Sequence, residues 1–471
     1  MGDSSTTDTG DLPIVWRKDA DNEVYEEARV GRVFNHRRPA RFPIAVVEAT
    51  CEEHIVQAVR LASTLGCRVS VRSGGHSWAA WSVRENAILI DLGKYQRIDV
   101  DYEKRLVVVS PSTEGKQLNS LLIENGLMFR GGHCPDVGLG GFLLQGGMGW
   151  NCKNKGWACE RVKAIDVVTA TGEFLHCDES QNQELLWAAR GAGPGFPAIV
   201  TKFYLEIEPK HNGMLASVFI YPKSEYRKVL DWVVEISKGY DEGAEIVCVA
   251  CTPPGMSEHH IVADFLCFKQ TEEESAKALE LANSTRPSGF VFEAVNQPSS
   301  LTNRYRDQAA ANPECHRWRC DNAYIENDAD VSAVLEDAFL TIPHPKAFSL
   351  YFSMHPCSRR ELPDMALSMQ SDHYFALYTC WENESDDDRC SKWVQDIMVE
   401  VEKHSEGAYL GDSDFQVRRT RFWSDENGKR LMALRRKWDP KGRVCGYLDI
   451  NDASGVNGLK NEHEWKTLAN A

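Results

Sequence analysis

An α+β fold of two principal units is predicted by three observations. Near residue 50 an amphipathic helix hands over to a short strand that runs directly into a glycine loop. Beyond residue 213 the short β runs give way to longer strands interleaved with amphipathic helices, the pattern of an antiparallel sheet covered on one face. The chain's 471 residues exceed one ordinary core, and its 42% hydrophobic content is enough to fill two or three.

The first forty residues are polar and broken by Pro13 and Pro39, so they read as an arm. Thr50 and Glu53 have capping-box spacing, Ile55, Val56, Val59, Ala62 and Leu65 recur at helical spacing, and Gly66 stops the helix. A strand over 67–72 follows and delivers Ser73-Gly-Gly-His76. Further strands are predicted over 87–91, 97–100 and 106–109, then a helix over 115–125 closed by Gly126. Strands over 162–169, 173–176 and 199–206, with a helix over 182–190, complete the unit. Pro209–Gly213 reads as a linker. In the second unit, strands over 218–221, 245–251, 259–267, 348–354 and 374–381 suit one antiparallel sheet, with helices over 223–238, 271–282 and 390–404 on one face. Residues 384–389 read as a solvated acidic loop. A basic amphipathic helix over 423–437 stops before Asp439-Pro440.

A net charge of −16 disfavours nucleic acid and anionic membranes as partners and favours a small molecule. The N-terminus lacks a basic and apolar leader, so the fifteen cysteines are expected as reduced thiols in a cytoplasmic protein. No run reaches the roughly 18 apolar residues of a membrane span. Cys248-Val-Ala-Cys251 lies inside an apolar run with no second pair at zinc spacing, so it reads as strand thiols, and no metal site is expected.

Two glycine-bracketed segments carry the chemistry: Arg72-Ser-Gly-Gly-His-Ser-Trp78 and Gly131-Gly-His-Cys-Pro-Asp-Val-Gly138. Glycines there let backbone N–H groups approach a ligand, which suits a phosphate-bearing aromatic cofactor anchored through His76 and Cys134, a flavin. Gly191-Ala-Gly-Pro-Gly-Phe196 fails the Rossmann fingerprint at its last position, and no P-loop occurs. Gly138, Gly140, Gly141, Gly146, Gly147 and Gly149 fall close together in an otherwise apolar stretch. They read either as a wrap around a planar ligand or as backbone packed on backbone.

These two loops, together with Arg190-Gly-Ala-Gly-Pro-Gly-Phe-Pro-Ala-Ile-Val-Thr201 and Trp438-Asp-Pro440, resemble the vanillyl-alcohol-oxidase/PCMH-type flavoproteins and, within them, the berberine-bridge-enzyme-like group. The resemblance implies a PCMH-type FAD-binding domain of two α/β subdomains over 1–210 and an antiparallel-sheet substrate domain over 211–420. It further implies a segment over 421–471 returning to the FAD domain. FAD would be held bicovalently by His76 and Cys134, which raises its reduction potential. Arg72, Ser73, Gly74, Gly75, Ser77, Pro135, Val137, the six clustered glycines and Ile199 would line it. Val137 occupies the position resembling the family's oxygen gatekeeper, where valine implies O2 as acceptor. A monomeric oxidase of small apolar or aromatic alcohols, amines or phenols is the resulting expectation; an oxygenase or dehydrogenase of the same fold, and a carbohydrate oxidase, stay open as alternatives.

Substrate oxidation needs a proton acceptor facing the flavin. Tyr409 resembles the family's tyrosine before the last helix, although the usual asparagine two residues on is Gly411; it reads as base, relay or packing residue. Ser353 stands where sugar-oxidising relatives carry aspartate, and Ala376 where plant relatives carry Glu or Gln, so a carboxylate is missing at both. Tyr378, His355 and Tyr351 are the secondary candidates.

Overall fold

The computed structural model describes residues 11–447; residues 1–10 and 448–471 lie outside the described residues. Its first sheet has four strands in the order Ile14–Trp16, Ala45–Glu48, Ala87–Asp91, Arg68–Arg72. The last three run parallel, and the helix Glu52–Leu65 makes the crossover between the second and the fourth in this order. That helix buries Ile55, Ala58, Val59, Leu61 and Ala62 against the sheet and ends at Gly66, whose φ of +68° places it in the left-handed region. The predicted capping box is corrected: the helix begins at Glu52, Cys51 is the N-cap, and no side chain caps it.

The expected arm is also corrected from residue 14 onward. Ile14–Trp16 adds an antiparallel strand and Asn22–Val30 is a helix whose first turn Asp21 caps, its carboxylate accepting from Glu23 N at 2.8 Å. Three-residue strands and a short charged helix carry too little periodicity to be read from sequence.

The second sheet is antiparallel and five-stranded, in the order Ile98–Asp101, Leu106–Val109, Ala198–Glu206, Val162–Thr169, Phe174–Cys177. All five strands fall within a residue of their predicted positions. The third sheet has eight antiparallel strands, ordered Phe292–Pro298, Leu215–Pro222, His260–Cys267, Ala244–Cys251, Phe348–Ser353, His373–Trp381, Arg317–Ile325, Ser405–Gly407. The five predicted strands are present and three are added. Arg317–Ile325 escaped detection because it carries Asp321 and Asn322 inward, breaking the apolar alternation that marks a strand.

Side chains alternate across this sheet. Phe219, Tyr351, Phe375 and Leu377 pack with Val229, Leu279 and Val394 of the helices Tyr226–Ser237, Glu272–Thr285 and Asp387–Val401. Trp318, Phe352, Tyr374 and Tyr378 face the other way and pack with Trp78, Met148 and Trp157 of the first unit. Residues 384–389 are solvated as expected, with 384, 385, 388 and 389 exposed, but they are not a loop: a 3-10 turn leads into the helix at Asp387, whose carboxylate accepts from Trp381 Nε1 at 2.7 Å and Arg317 Nε at 2.6 Å.

The last described helix, Asp425–Trp438, is capped by Ser424 and buries Leu431 and Leu434 in the core of the five-stranded sheet. Beyond it the Asp439 carboxylate accepts from Arg443 N at 2.6 Å and Val444 N at 2.8 Å. The turn so formed lays the chain beside Val69, with Val69 N donating to Arg443 O and Cys445 N to Val69 O, both at 2.8 Å. An otherwise open sheet edge is thereby covered. Asp439→Ala leaves two N–H donors without their acceptor and is expected to lower unfolding free energy by about 1–3 kcal/mol in urea titration.

Candidate flavin site

The loops of the first two sheets and the open face of the third enclose a cavity of about 1130 Å³. Its construction begins at Arg72, the last residue of its strand. The buried guanidinium donates through Nε to Asp91 Oδ2 at 2.9 Å and through its terminal nitrogens to the carbonyls of Arg29 and Ala28 at 2.6 and 2.5 Å. Asp91 also accepts from Arg32 and from Gly93 N at 2.7 Å. The Arg72 side chain therefore anchors the loop root, and Arg72 lines the cavity as expected.

Beyond this anchor the chain turns through Ser73–Ser77. Among the described residues, the N–H groups of Ser73, Gly74, Gly75, His76 and Ser77 donate to no protein group. A run of unpaired backbone donors at a cavity wall is an anion cradle. The buried indole N–H of Trp81, in the same wall, likewise has no partner among the described residues.

The two glycine loops meet backbone to backbone. A Cβ on Gly74 would lie 2.6 Å from Gly138 N, and one on Gly138 would lie 2.7 Å from Gly74 Cα. Gly75, at φ +87°, lies against the Arg32 carbonyl, where a Cβ would overlap the oxygen. A Cβ on Gly141, by contrast, would meet nothing within 4 Å. That is the room a planar ligand needs.

His76 and Cys134 both line the cavity. The His76 ring stacks on Phe34 with centroids 4.4 Å apart, and its Nε2 bonds Asp136 Oδ2 at 2.8 Å, which leaves Nδ1 as the nitrogen without a partner among the described residues. Burial would raise the Asp136 carboxyl, but the hydrogen bond and charge of His76 hold it below the usual range. Burial pushes the Cys134 thiol up to about 12, with Asp136 and Asp412 adding to the effect. Ser73, Gly74, Gly75, Ser77, Val137, Gly138, Gly140, Gly141 and Ile199 line the same space.

Six expected site residues, Tyr351 among them, do not line it. Pro135, Gly146, Gly147 and Gly149 lie behind the wall; a Cβ on Gly149 would sit 2.4 Å from the Arg130 carbonyl oxygen, backbone packed on backbone, whereas Gly146 lies against the Leu367 side chain and Gly147 against those of Ala158 and Phe142. His355 lies in the loop beyond Phe348–Ser353 beside Asp372, outside the cavity. Tyr351 and Ser353 share the helix-covered face, Tyr351 Oη bonding His373 Nδ1 at 2.9 Å, so Ser353 says nothing about acids in the cavity.

Tyr409 and Tyr378 do line it. The Tyr409 hydroxyl accepts from Gly147 N at 3.2 Å and Met148 N at 3.0 Å, bracing the turn behind the wall. Burial drives its pKa well up, Asp412 adds to this, and the two N–H bonds oppose it. Gly411 stands where asparagine was expected, and a Cβ there would lie 2.4 Å from the Tyr409 ring. Tyr378 stacks on Phe348 at 4.7 Å and meets Trp78 edge-on at 5.5 Å.

Sequence reasoning missed the polar groups that tertiary structure brings here. Asp412 accepts from Tyr374 Oη at 2.6 Å. His133 Nε2 bonds Glu245 Oε1 at 3.0 Å, and Asn151 N donates to Glu245 Oε2 at 2.8 Å. Burial opposes a charged His133, yet the Glu245 charge and hydrogen bond carry its pKa above the usual value. Nothing in their spacing signals these pairings. Among the described residues no cluster of His, Cys, Asp or Glu could hold a metal ion, and no helix is long and apolar enough to cross a membrane.

Residues 43–178 match the FAD binding domain family. Over 440 residues the chain is 38% identical to the FAD-linked oxidoreductase ptmO of Penicillium ochrochloron, covering 93% of this chain and 97% of that protein. In shape it is similar to BBE-like 1 of Physcomitrella patens, with a TM-score of 0.80 at 16% identity over 95% of this chain and 97% of that one. It is also similar to 6-hydroxy-D-nicotine oxidase from Arthrobacter nicotinovorans, with a TM-score of 0.78 at 17% identity over 93% and 98%. The chain belongs to the FAD-linked oxidoreductases, and its fold is that of the BBE-like 1 and 6-hydroxy-D-nicotine oxidase structures.

The backbone contact at Gly74 makes a direct prediction. Gly74→Ala forces the loops apart, so the purified variant is expected to carry less than a tenth of the wild-type flavin absorbance per polypeptide, with secondary structure by circular dichroism retained.

Proposed function

We propose that this FAD-linked oxidoreductase is an oxidase that carries FAD on both His76 and Cys134 and oxidises a small apolar or aromatic alcohol, amine or phenol, with O2 as acceptor. The observation that carries the reading is that His76 and Cys134, distant in sequence, open into one cavity. Its opposite wall, on the eight-stranded sheet, includes Val218, Ile220, Val247, Val249, Val262 and Phe352. When bound, the flavin supplies a two-electron acceptor for a hydride.

In this reading the chain's own groups divide the work. The free N–H groups of Ser73–Ser77 bind the pyrophosphate. Asp136 orients His76 so that Nδ1 faces the cavity, and Cys134 provides the second anchor from the crossing loop. The aliphatic and aromatic wall excludes water and selects an apolar substrate. Val137, small and β-branched, leaves space for O2 beside the cofactor. Tyr378 relays a proton, and Tyr409 fixes the Gly147–Met148 turn behind the loops. The division of labour follows an FAD domain over 1–210 with the segment 421–471, and a substrate domain over 211–420.

Three outcomes test this. Acid-denatured protein weighed by mass spectrometry is expected to carry one FAD, His76→Ala and Cys134→Ala each to retain one bond, and the double variant none; a polypeptide mass without FAD would sink the linkage. Anaerobic mixing with benzylic alcohols and cyclic amines is expected to bleach the flavin, and admitting air to restore it within seconds; slow reoxidation would point to a dehydrogenase. Tyr409→Phe removes the acceptor of two buried N–H groups and is expected to cost about 1–3 kcal/mol in urea unfolding.

A further inference from the structure

We propose that Asp412 is the base that takes the proton of the substrate's hydroxyl or amine as the adjoining carbon is oxidised, an assignment that rests on the oxidase reading above. Three aspartates crowd this corner of the molecule, and their partners differ. Asp414 is held by Arg37 and Arg319, each at 3.1 Å, and Asp321 by Arg418 at 3.0 Å. Asp412 pairs with no lysine or arginine among the described residues, and it alone of the three lines the cavity. A carboxylate enclosed without a cation is costly to keep. Asp414 and Asp321 show that this fold supplies arginines where an acid is merely structural.

The groups facing Asp412 come from every side. The strand His373–Trp381 contributes Tyr374, whose hydroxyl donates at 2.6 Å, and Tyr378; the first loop contributes Trp78. From the second loop His133 and Cys134 face it, from Arg317–Ile325 Cys320 and Tyr324, and from its own segment Tyr409. Enclosure raises the Asp412 carboxyl above its usual range, while the hydroxyls of Tyr374 and Tyr378, the His133 charge and the Trp78 indole draw it back. A carboxyl raised in this way is a better proton acceptor than one in water.

For an alcohol the step balances as follows. The O–H and C–H bonds of the carbinol break and a C=O bond forms. The hydroxyl proton passes to the Asp412 carboxylate, and the C–H hydrogen leaves with two electrons, FAD being the oxidant. An amine gives C=N in the same way. Tyr374 then acts as a positioning residue that tunes the base.

The test is made on flavin-loaded wild type, Asp412→Asn, Asp412→Glu and Tyr374→Phe. Infrared difference spectra across a pH titration need no substrate: wild type is expected to show a protonated-carboxyl band that vanishes as pH rises. That band should be absent in Asp412→Asn and shifted to higher pH in Tyr374→Phe, which removes a donor to the carboxylate. A missing wild-type band, a band that survives in Asp412→Asn, or an unmoved Tyr374→Phe titration overturns the proposal. With whichever benzylic alcohol bleaches wild type, kcat/KM should rise through the same pH and then level. Asp412→Asn should fall by about 10²–10⁴-fold and lose that acid limb, with Asp412→Glu restoring part of both. An acid limb retained in Asp412→Asn overturns the assignment while leaving the oxidase reading intact; no bleaching of wild type by any probe defeats the oxidase reading instead.

Discussion

Everything at the flavin site depends on the place where two glycine loops cross with nothing between their backbones. Gly74 and Gly138 are in contact at distances no side chain allows. The contact brings His76 and Cys134, 58 residues apart in the chain, to one cavity. Behind it the Arg72–Asp91 pair, with Arg32, Gly93 and the carbonyls of the first helix, holds the loop root so that the following five N–H groups can remain unpaired. A backbone donor unpaired within the protein is tolerable only where a ligand or water meets it. The rigid root and the unsatisfied loop are two parts of one arrangement.

The cavity is a composite. One wall is backbone, rich in glycine and donors; the other is the uncovered face of an eight-stranded sheet, rich in aliphatic and aromatic side chains. Alternation along each strand separates what helices cover from what a substrate meets, as Tyr351 and Phe352 show by facing opposite ways. In the proposed reading, cofactor binding and substrate choice reside on different sheets and can vary independently.

Much of the framework was legible in the chain. The five-stranded sheet and the helix closed by Gly66 follow from local periodicity and punctuation, which need no distant partner. The loops were legible because glycine density is a local signal. The misreadings share a cause. Ile14–Trp16 and Asn22–Val30 are too short to declare a period, Arg317–Ile325 buries polar residues that mimic a surface, and Asp387 joins a helix because Arg317 and Trp381 neutralise and hold it.

The site divides along the same line. Sequence alone picked out the two glycine loops and singled out His76, Cys134 and Val137 within them, because chemistry concentrated in a few adjacent residues survives as a pattern. It also determined that the positions read as Ser353 and Ala376 carry no acid. Only the tertiary structure decided that an acid is present nonetheless: Asp412 reaches the cavity from a segment without regular structure, beside tyrosines from a strand 38 residues away in the chain. Side chains gathered from separate elements leave no spacing to read, and whether a carboxylate meets arginine or a cavity is settled by packing.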